Sequence, residues 1–253
     1  MKSKISAICI ASSFAIVTNI SAGFAADMAV KAPMAAPPTA YNWTGWYAGL
    51  NVGGGWGDSK NNFTATFPPA TPAGSDTTQM NGVIGGGQLG YNWQSGTWVF
   101  GLETDIQGAG LRGSNNTACS LAGCIVPGST IADTEKLTWF GTTRGRVGVT
   151  SGSWLAYVTG GAAYGGVSAT GITNLPGVGT ITVAKSSTQT GWTVGGGIEA
   201  SLTGKWTWKV EYLYMDLGTV SASAPDPFIA GATVGGSAHF TDNILRAGVN
   251  THF

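Results

Sequence analysis

The segment from Trp206 to Gly218, WTWKVEYLYMDLG, alternates between two kinds of side chain. Successive side chains of a β-strand point to opposite faces, so such a strand has one apolar, aromatic face and one mixed face that carries the charges. A soluble sheet would pack its apolar face on a core, whereas a membrane barrel would turn that face to lipid and enclose the charges. The first face consists of Trp206, Trp208, Val210, Tyr212 and Tyr214, and the second of Thr207, Lys209, Glu211, Leu213 and Met215.

The same alternation begins at Trp46, where WYAGLNVGGGWG places Trp46 and Trp56 at the two ends of one face. A strand of about ten residues, tilted by about 40°, spans the roughly 25 Å apolar band of an outer-membrane barrel, so the two tryptophans would lie at its two aromatic girdles. The alternation predicts eight strands, at about 46–57, 80–93, 98–108, 137–149, 154–166, 190–202, 206–217 and 240–253.

The predicted connections alternate in length. Tight turns at 94–97, 150–153 and 203–205 alternate with long polar or Gly/Pro-rich stretches near 58–79, 109–136, 167–189 and 218–239. Short turns at one end and long loops at the other are typical of bacterial outer-membrane barrels, and an even strand count places both termini at the short-turn, periplasmic end. Residues opposite each other in a hairpin share a face. We therefore expect the cross-strand pairs Trp93–Trp98, Val149–Trp154, Leu202–Trp206 and Glu199–Lys209.

Composition favours a membrane protein without transmembrane helices. Charged residues make up 9% of the chain, against about a quarter in ordinary soluble domains. After the N-terminal region, no apolar run reaches the roughly 18 residues of a transmembrane helix, and strands that cross lipid must close into a barrel because lipid cannot pair an open sheet edge. The expected fold is all-β: an eight-stranded antiparallel up-and-down transmembrane barrel in the cell outer membrane.

The N-terminus predicts export. Lys2 and Lys4 precede an uncharged apolar run from Ile5 to Ile20, and cleavage after Ala25 would remove residues 1–25 as a signal peptide. A membrane-anchor helix is the alternative, which the short apolar run disfavours. Residues 26–45 are rich in Ala and Pro and predict an extended periplasmic linker, and residues 46–253 form the barrel domain. Ten basic and twelve acidic residues then remain, with no basic patch for nucleic acid.

Alternation also places a set of charged residues inside the barrel. Acidic and basic members are balanced, so we expect a compensated lumenal charge network, because an unpaired charge in a narrow barrel would be costly. The predicted network consists of Glu103, Asp105, Arg144, Arg146, Glu199, Lys209, Glu211 and Arg246.

Several segments resemble the small outer-membrane barrel family of alphaproteobacteria, whose members are known as porin-like or outer-membrane immunogenic proteins and are related to the transmembrane domain of OmpA. They are WTGWYAGLNVGGGWG (43–57), VFGLETDIQG (99–108), LTWFGTTRGRVG (137–148) and GWTVGGGIEASLTGKWTWKVEYLYMDLG (191–218). The resemblance implies an abundant, surface-exposed barrel with a structural or envelope role and without catalytic residues, cofactor or metal. Expected partners are outer-membrane lipid and lipopolysaccharide, the barrel-assembly machinery, and peptidoglycan or other envelope proteins through the N-terminal linker.

The C-terminus, RAGVNTHF, resembles the signal by which barrels are recognised for assembly, through Arg246, Gly248 and the final Phe253. Thr251 departs from that signal, because it stands where an aromatic residue is usual.

Cysteine and histidine leave alternatives open. Cys119 and Cys124 lie in a predicted loop of an exported chain, where they either form a disulfide or stay reduced. His239, near Ser237 or Asp216, could serve an outer-rim enzyme or bind haem, although no spacing indicates a triad. We therefore predict a non-catalytic, structural and surface-exposed barrel. A narrow channel for ions or small solutes, or a surface site for haem or another ligand, is the alternative.

Overall fold

Eight antiparallel strands form a closed barrel in the computed structural model, which describes residues 41–66, 73–118, 128–227 and 230–253. The predicted signal peptide, linker residues 26–40, Cys119 and Cys124 lie outside the described residues. Each strand pairs with its neighbours in sequence, and β1 pairs with β8 to close the ring, so the predicted fold class is confirmed. The strands are β1 (Gly45–Thr66), β2 (Ala73–Ser95), β3 (Trp98–Ala118), β4 (Thr130–Ser151), β5 (Trp154–Leu175), β6 (Gly179–Thr203), β7 (Trp206–Pro225) and β8 (Thr233–His252).

The outer wall is the apolar face that the alternation predicted. On β1, Leu50 is 70% exposed while its neighbour Asn51 is 7% exposed, and on β7 Trp206 is exposed while Lys209 and Glu211 are buried. Aromatic contacts on the outer face form at two levels, such as Trp154 with Trp208 near the short turns and Trp192 with Tyr214 farther along the strands. The wall therefore has a lipid-facing apolar band between two aromatic girdles. Within the described ranges there is no helix that is long and apolar enough to span a membrane.

The strands are much longer than the alternation indicated. β1 continues to Thr66, and β5 and β6 continue until only residues 176–178 separate them, so the prediction of long loops at 58–79, 109–136, 167–189 and 218–239 is wrong for most of their length. Beyond the upper girdle the outward face of a strand contacts water instead of lipid, so the apolar–polar alternation of the sequence fades while the backbone ladder continues. The barrel therefore extends well beyond the membrane at its outer end.

The periplasmic turns are also tighter than predicted. Gly96 has a φ of 60°, which suits the first central residue of a two-residue hairpin turn, so Ser95 rather than Trp93 lies opposite Trp98. Both tryptophans still face lipid because the register differs by two residues. Likewise Val149 pairs with Ala156 and Ser151 with Trp154, and a bulge after Ser201 brings Thr203, not Leu202, opposite Trp206.

Candidate functional site

The barrel interior brings all eight predicted network residues together at mid-membrane height. Arg144 lies at the centre: its guanidinium donates to Glu103, to Asp105 at 3.0 Å and to Glu211 at 3.0 Å, and its Nε donates to Thr142 at 2.8 Å. All of these side chains are buried. One arginine therefore joins three carboxylates that come from β3 and β7, across the lumen from each other.

The other three cations complete the network. Arg246 donates to Glu211 at 2.8 Å and to Asp105 at 2.9 Å, and Lys209 donates to Glu103 at 2.9 Å. Arg146 pairs with Glu199 at 3.1 Å, and its guanidinium lies over the rings of Tyr47 and Tyr157. Glu199 and Lys209 occupy opposite register positions, as predicted, but each side chain binds a different partner.

Polar residues that the sequence did not single out add hydrogen bonds to the network. Tyr47 donates its hydroxyl to Glu103 at 2.7 Å, and Tyr157 donates to Glu211 at 3.0 Å. Glu199 accepts from Thr207 at 2.5 Å and from Asn250 at 2.8 Å. The alternation was the available signal for these residues, because all four lie on the inward faces of their strands. Thr207 and Asn250 share a strand face with a network charge, whereas Tyr47 on β1 and Tyr157 on β5 lie on strands without one.

Glycines make room for the network. Six of its eight members lie directly opposite a glycine on a neighbouring strand. Because glycine has no side chain, the long charged side chains can lie over its backbone. A Cβ at Gly53 would lie 2.8 Å from Cβ of Arg246, and one at Gly101 would lie 3.0 Å from Cγ of Arg146. These positions are filled by neighbouring side chains rather than empty. The pairs are Gly53–Arg246, Gly90–Glu103, Gly101–Arg146, Gly161–Arg144, Gly197–Glu211 and Gly248–Lys209.

A layer of apolar side chains fills the lumen on the extracellular side of the network. It begins one inward position beyond the charges, with Leu213 after Glu211 and Ile244 before Arg246, and it includes residues from β2, β3, β4, β5, β7 and β8. We call it the apolar layer; its largest fully buried members are Met80, Leu111, Leu137, Phe140, Leu213 and Phe240.

Trp43 closes the periplasmic end. Its side chain is fully buried against Val99, Leu155 and Tyr157, and its backbone N–H donates to the side chain of Gln94 at 2.8 Å. The sequence assigned Trp43 to the linker, because the residues before β1 show no alternation. We call this cluster, Trp43 with Tyr41, Val99, Leu155 and Tyr157, the periplasmic aromatic group.

Acidic residues line the inner wall beyond the apolar layer. Asp76 accepts from Asn115 at 3.0 Å, and burial together with the Asp76 charge raises the pKa of Asp133 to about 6. Burial raises the pKa of Glu135 to about 7, against the opposing effect of hydrogen bonds from Asn61 and Ser59. We call Asp76, Asp133 and Glu135 the acidic mouth; the raised pKa values of Asp133 and Glu135 mean that these two carboxyls retain protons at pH values where exposed ones are ionised.

His239 lies on the outer wall rather than in a pocket. Its Nε2 is 3.5 Å from Asp216, as the sequence allowed, but its Nδ1 is 3.0 Å from the hydroxyl of Thr219 and no bond joins it to Ser237. The described part of the chain contains no cluster of three or more His, Cys, Asp or Glu side chains that could hold a metal ion.

The residues of the predicted assembly signal differ in environment. Arg246 is buried in the network, Gly248 faces Lys209 across the β7–β8 pair, and Phe253 is 66% exposed just after β8. Its backbone N–H donates to Trp46, which anchors the last residue to β1.

Comparison with known proteins gives matches along most of the chain. The family described as "Outer membrane protein beta-barrel domain" matches residues 22–253. The 31 kDa outer-membrane immunogenic protein of Brucella melitensis is 38% identical over 216 residues, which cover 80% of this chain and 86% of that protein. The 22 kDa outer membrane protein of Rhizobium leguminosarum is 35% identical over 52% of each chain. Among solved structures, OprG from Pseudomonas aeruginosa is 13% identical with a TM-score of 0.45, covering 83% of this chain and 97% of that one.

Proposed function

Because this chain belongs to the outer membrane protein β-barrel family, and is therefore a protein of the cell outer membrane, we propose that it is a sealed structural barrel that does not conduct solutes. In this role its lipid-facing wall anchors it in the outer membrane, and its extended strands present a surface outside the cell. The proposal includes no catalytic step.

The observation that carries this proposal is that the lumen is filled at three successive levels. From the periplasm outward these are the periplasmic aromatic group, the lumenal charge network and the apolar layer. Eight strands close to a diameter that side chains can just fill, unlike the 16 to 18 strands of open porins. An ion would therefore have to displace side chains at each level.

The lumenal charge network and the apolar layer oppose the passage of ions for different physical reasons. The network holds four acidic and four basic side chains that are paired with each other. A passing ion would therefore have to displace a side chain of its own charge from a charge-assisted hydrogen bond. Most side chains at the level of the apolar layer offer an ion no polar ligand, although Gln107 opposite Phe140 and Asp242 opposite Met215 are polar and buried there. Apolar constrictions block channels by excluding water. Either level alone would oppose conduction.

The test is the conductance of the purified mature protein in planar lipid bilayers. We expect wild-type protein to give no stable current steps. Single-level variants should also remain silent: Trp43→Ala for the aromatic group, Arg146→Ala with Glu199→Ala for the network, and Phe140→Ala with Phe240→Ala for the apolar layer. The network variant removes one ion pair at constant net charge. A variant that carries the substitutions of all three levels together should conduct ions.

Each variant must first be shown to be folded, by its altered electrophoretic mobility without boiling. Stable current steps from wild-type protein would overturn the sealed barrel in favour of a narrow channel. Steps that appear in wild type and vanish when the network pair is removed would show that the conducting path depends on the network.

A further inference from the structure

Two cations face each other on the outer wall without a counterion. Arg112 on β3 and Lys136 on β4 are direct cross-strand partners, and both side chains are exposed. Directly opposite side chains have Cβ atoms about 4.5–5.5 Å apart, and like charges at such positions are destabilising. Neither side chain forms an ion pair or hydrogen bond with another described residue.

No acid on this part of the wall can compensate them. β2, β3 and β4 contain five acidic residues, all of which lie on the inward face, and β5 contains none. The outward neighbours of the pair are uncharged hydrogen-bonding side chains, with Asn81 opposite Arg112 on β2 and Ser168 opposite Lys136 on β5. The outer wall from β2 to β5 therefore has an uncompensated positive patch at one height.

That height corresponds to the lipid headgroups of the outer leaflet. Lys136 lies three residues beyond Trp139, which contacts Tyr164 on the outer face. The pairing is irregular between these residues, so the offset corresponds to two residues on β5 and four on β3. At about 3.3 Å per residue and a tilt of about 40°, it rises roughly 5–10 Å along the membrane normal. The headgroup layer on each side of the hydrocarbon core is roughly 5–8 Å deep. Below the patch, Val83 and Ile106 are 75% and 63% exposed, as expected for contact with acyl chains.

We propose that Arg112 and Lys136 form a binding site for the phosphate groups of an outer-leaflet glycolipid, whose acyl chains lie along the apolar wall of β2 and β3. Arginine binds phosphate through two parallel N–H donors and lysine binds it as a point charge, so the pair can hold one phosphate between them. The anion converts an unfavourable like-charge pair into two favourable contacts. This site depends on the outer-membrane location and not on the sealed lumen.

The test compares wild type with Arg112→Ala/Lys136→Ala in neutral detergent micelles, with and without lipopolysaccharide that carries phosphorylated lipid A. The readout is the temperature at which the folded band is lost on electrophoresis. Without glycolipid, the double variant should be as stable as wild type or more so, because the like-charge pair is gone. With glycolipid, wild type should gain stability and the variant should gain much less. Retention of the glycolipid on purified protein should fall about tenfold, as expected for the loss of two solvent-exposed ion pairs.

Three controls decide the outcome. Lys205→Ala removes a cation from a periplasmic turn and should respond to glycolipid as wild type does. Dephosphorylated lipopolysaccharide and inorganic phosphate at the same phosphate concentration should both give little stabilisation. Equal gains for wild type and the double variant, or equal gains from dephosphorylated glycolipid, would overturn the site. If inorganic phosphate stabilised the protein as much as the glycolipid does, the site would be one for free anions, and the proposal of a glycolipid ligand would be overturned. Conductance of the wild-type protein would leave this result unaffected.

Discussion

Gly53 and Gly54 are adjacent in the sequence, yet replacing each by alanine should have very different effects. Gly53 faces the lumen opposite Arg246, whereas Gly54 faces lipid. A Cβ at Gly53 would lie 2.7 Å from Cα and 2.8 Å from Cβ of Arg246, and closer still to the carbonyl oxygen of Leu245. At Gly54 the nearest atom would be the carbonyl oxygen of Gly82 at 3.7 Å, an ordinary contact.

The magnitudes follow from these contacts. β8 is bonded to β1 on one side and β7 on the other, so its backbone has little freedom to move away from Gly53→Ala. Overpacking of this kind costs about 1–3 kcal/mol. Displacement of Arg246 would also weaken its bonds to Glu211 and Asp105, and breaking a buried ion pair costs about 3–5 kcal/mol. We expect Gly53→Ala to lose about 3 kcal/mol or more, and Gly54→Ala to change stability by less than about 1 kcal/mol in either direction.

The assay is reversible urea unfolding in lipid vesicles, followed by tryptophan fluorescence and by the mobility of the folded band. Gly54→Ala serves as the matched control, because it adds the same methyl group one residue away. Equal losses for the two variants would refute the claim that the lumenal glycines are closely packed. A loss confined to Gly54→Ala would show that the face assignment is inverted.

Three further predictions concern other parts of the barrel. Leu50→Arg should lower barrel stability by about 2–4 kcal/mol relative to Leu50→Ala, because it places a charge in lipid, and equal urea midpoints would contradict the lipid-facing assignment. In the acidic mouth the pKa of Glu135 is raised to about 7 from an ordinary value near 4.3, so this carboxyl favours the folded state at low pH and its contribution falls as pH rises from about 4.5 to about 7. Glu135→Gln should remove that part of the pH dependence of the unfolding temperature, and an unchanged pH profile would exclude this role of Glu135. Deletion of Phe253 should lower the amount of assembled barrel in the outer membrane without reducing export, as measured by cell fractionation, and full assembly would show that this residue is not part of the recognition signal.

The extent of the strands could be predicted only where lipid contacts them. From Trp46 to Trp56, one face must be apolar and the other must fit the lumen, so the alternation is strong. Beyond Trp56 the strand continues to Thr66 without a lipid constraint, and its sequence has the polar composition of a loop. The hydrogen-bonded ladder that defines this part of the strand joins residues far apart in the chain, so no local sequence pattern predicts it.

Trp43 was missed for a related reason. A single aromatic residue before the first strand has no periodic context, so the sequence placed it in the linker. Only the closed ring brings Val99 and Leu155, from β3 and β5, beneath it. Likewise the inward positions of Leu213 and Met215 followed from parity, but the apolar layer exists because inward residues of six strands meet at one height.

The sequence by itself determined which side chains face lipid and which face the lumen, because that choice depends on a period of two along each strand. It therefore determined the membrane location, the eight-strand ring and the membership of the lumenal network. Only the tertiary structure decided which charges bind each other. Glu199 lies opposite Lys209 in the register but pairs with Arg146 on β4, and Lys209 instead reaches Glu103 on β3. Those partners meet across the lumen, at distances that the closure and stagger of the whole barrel set and that neither strand specifies alone.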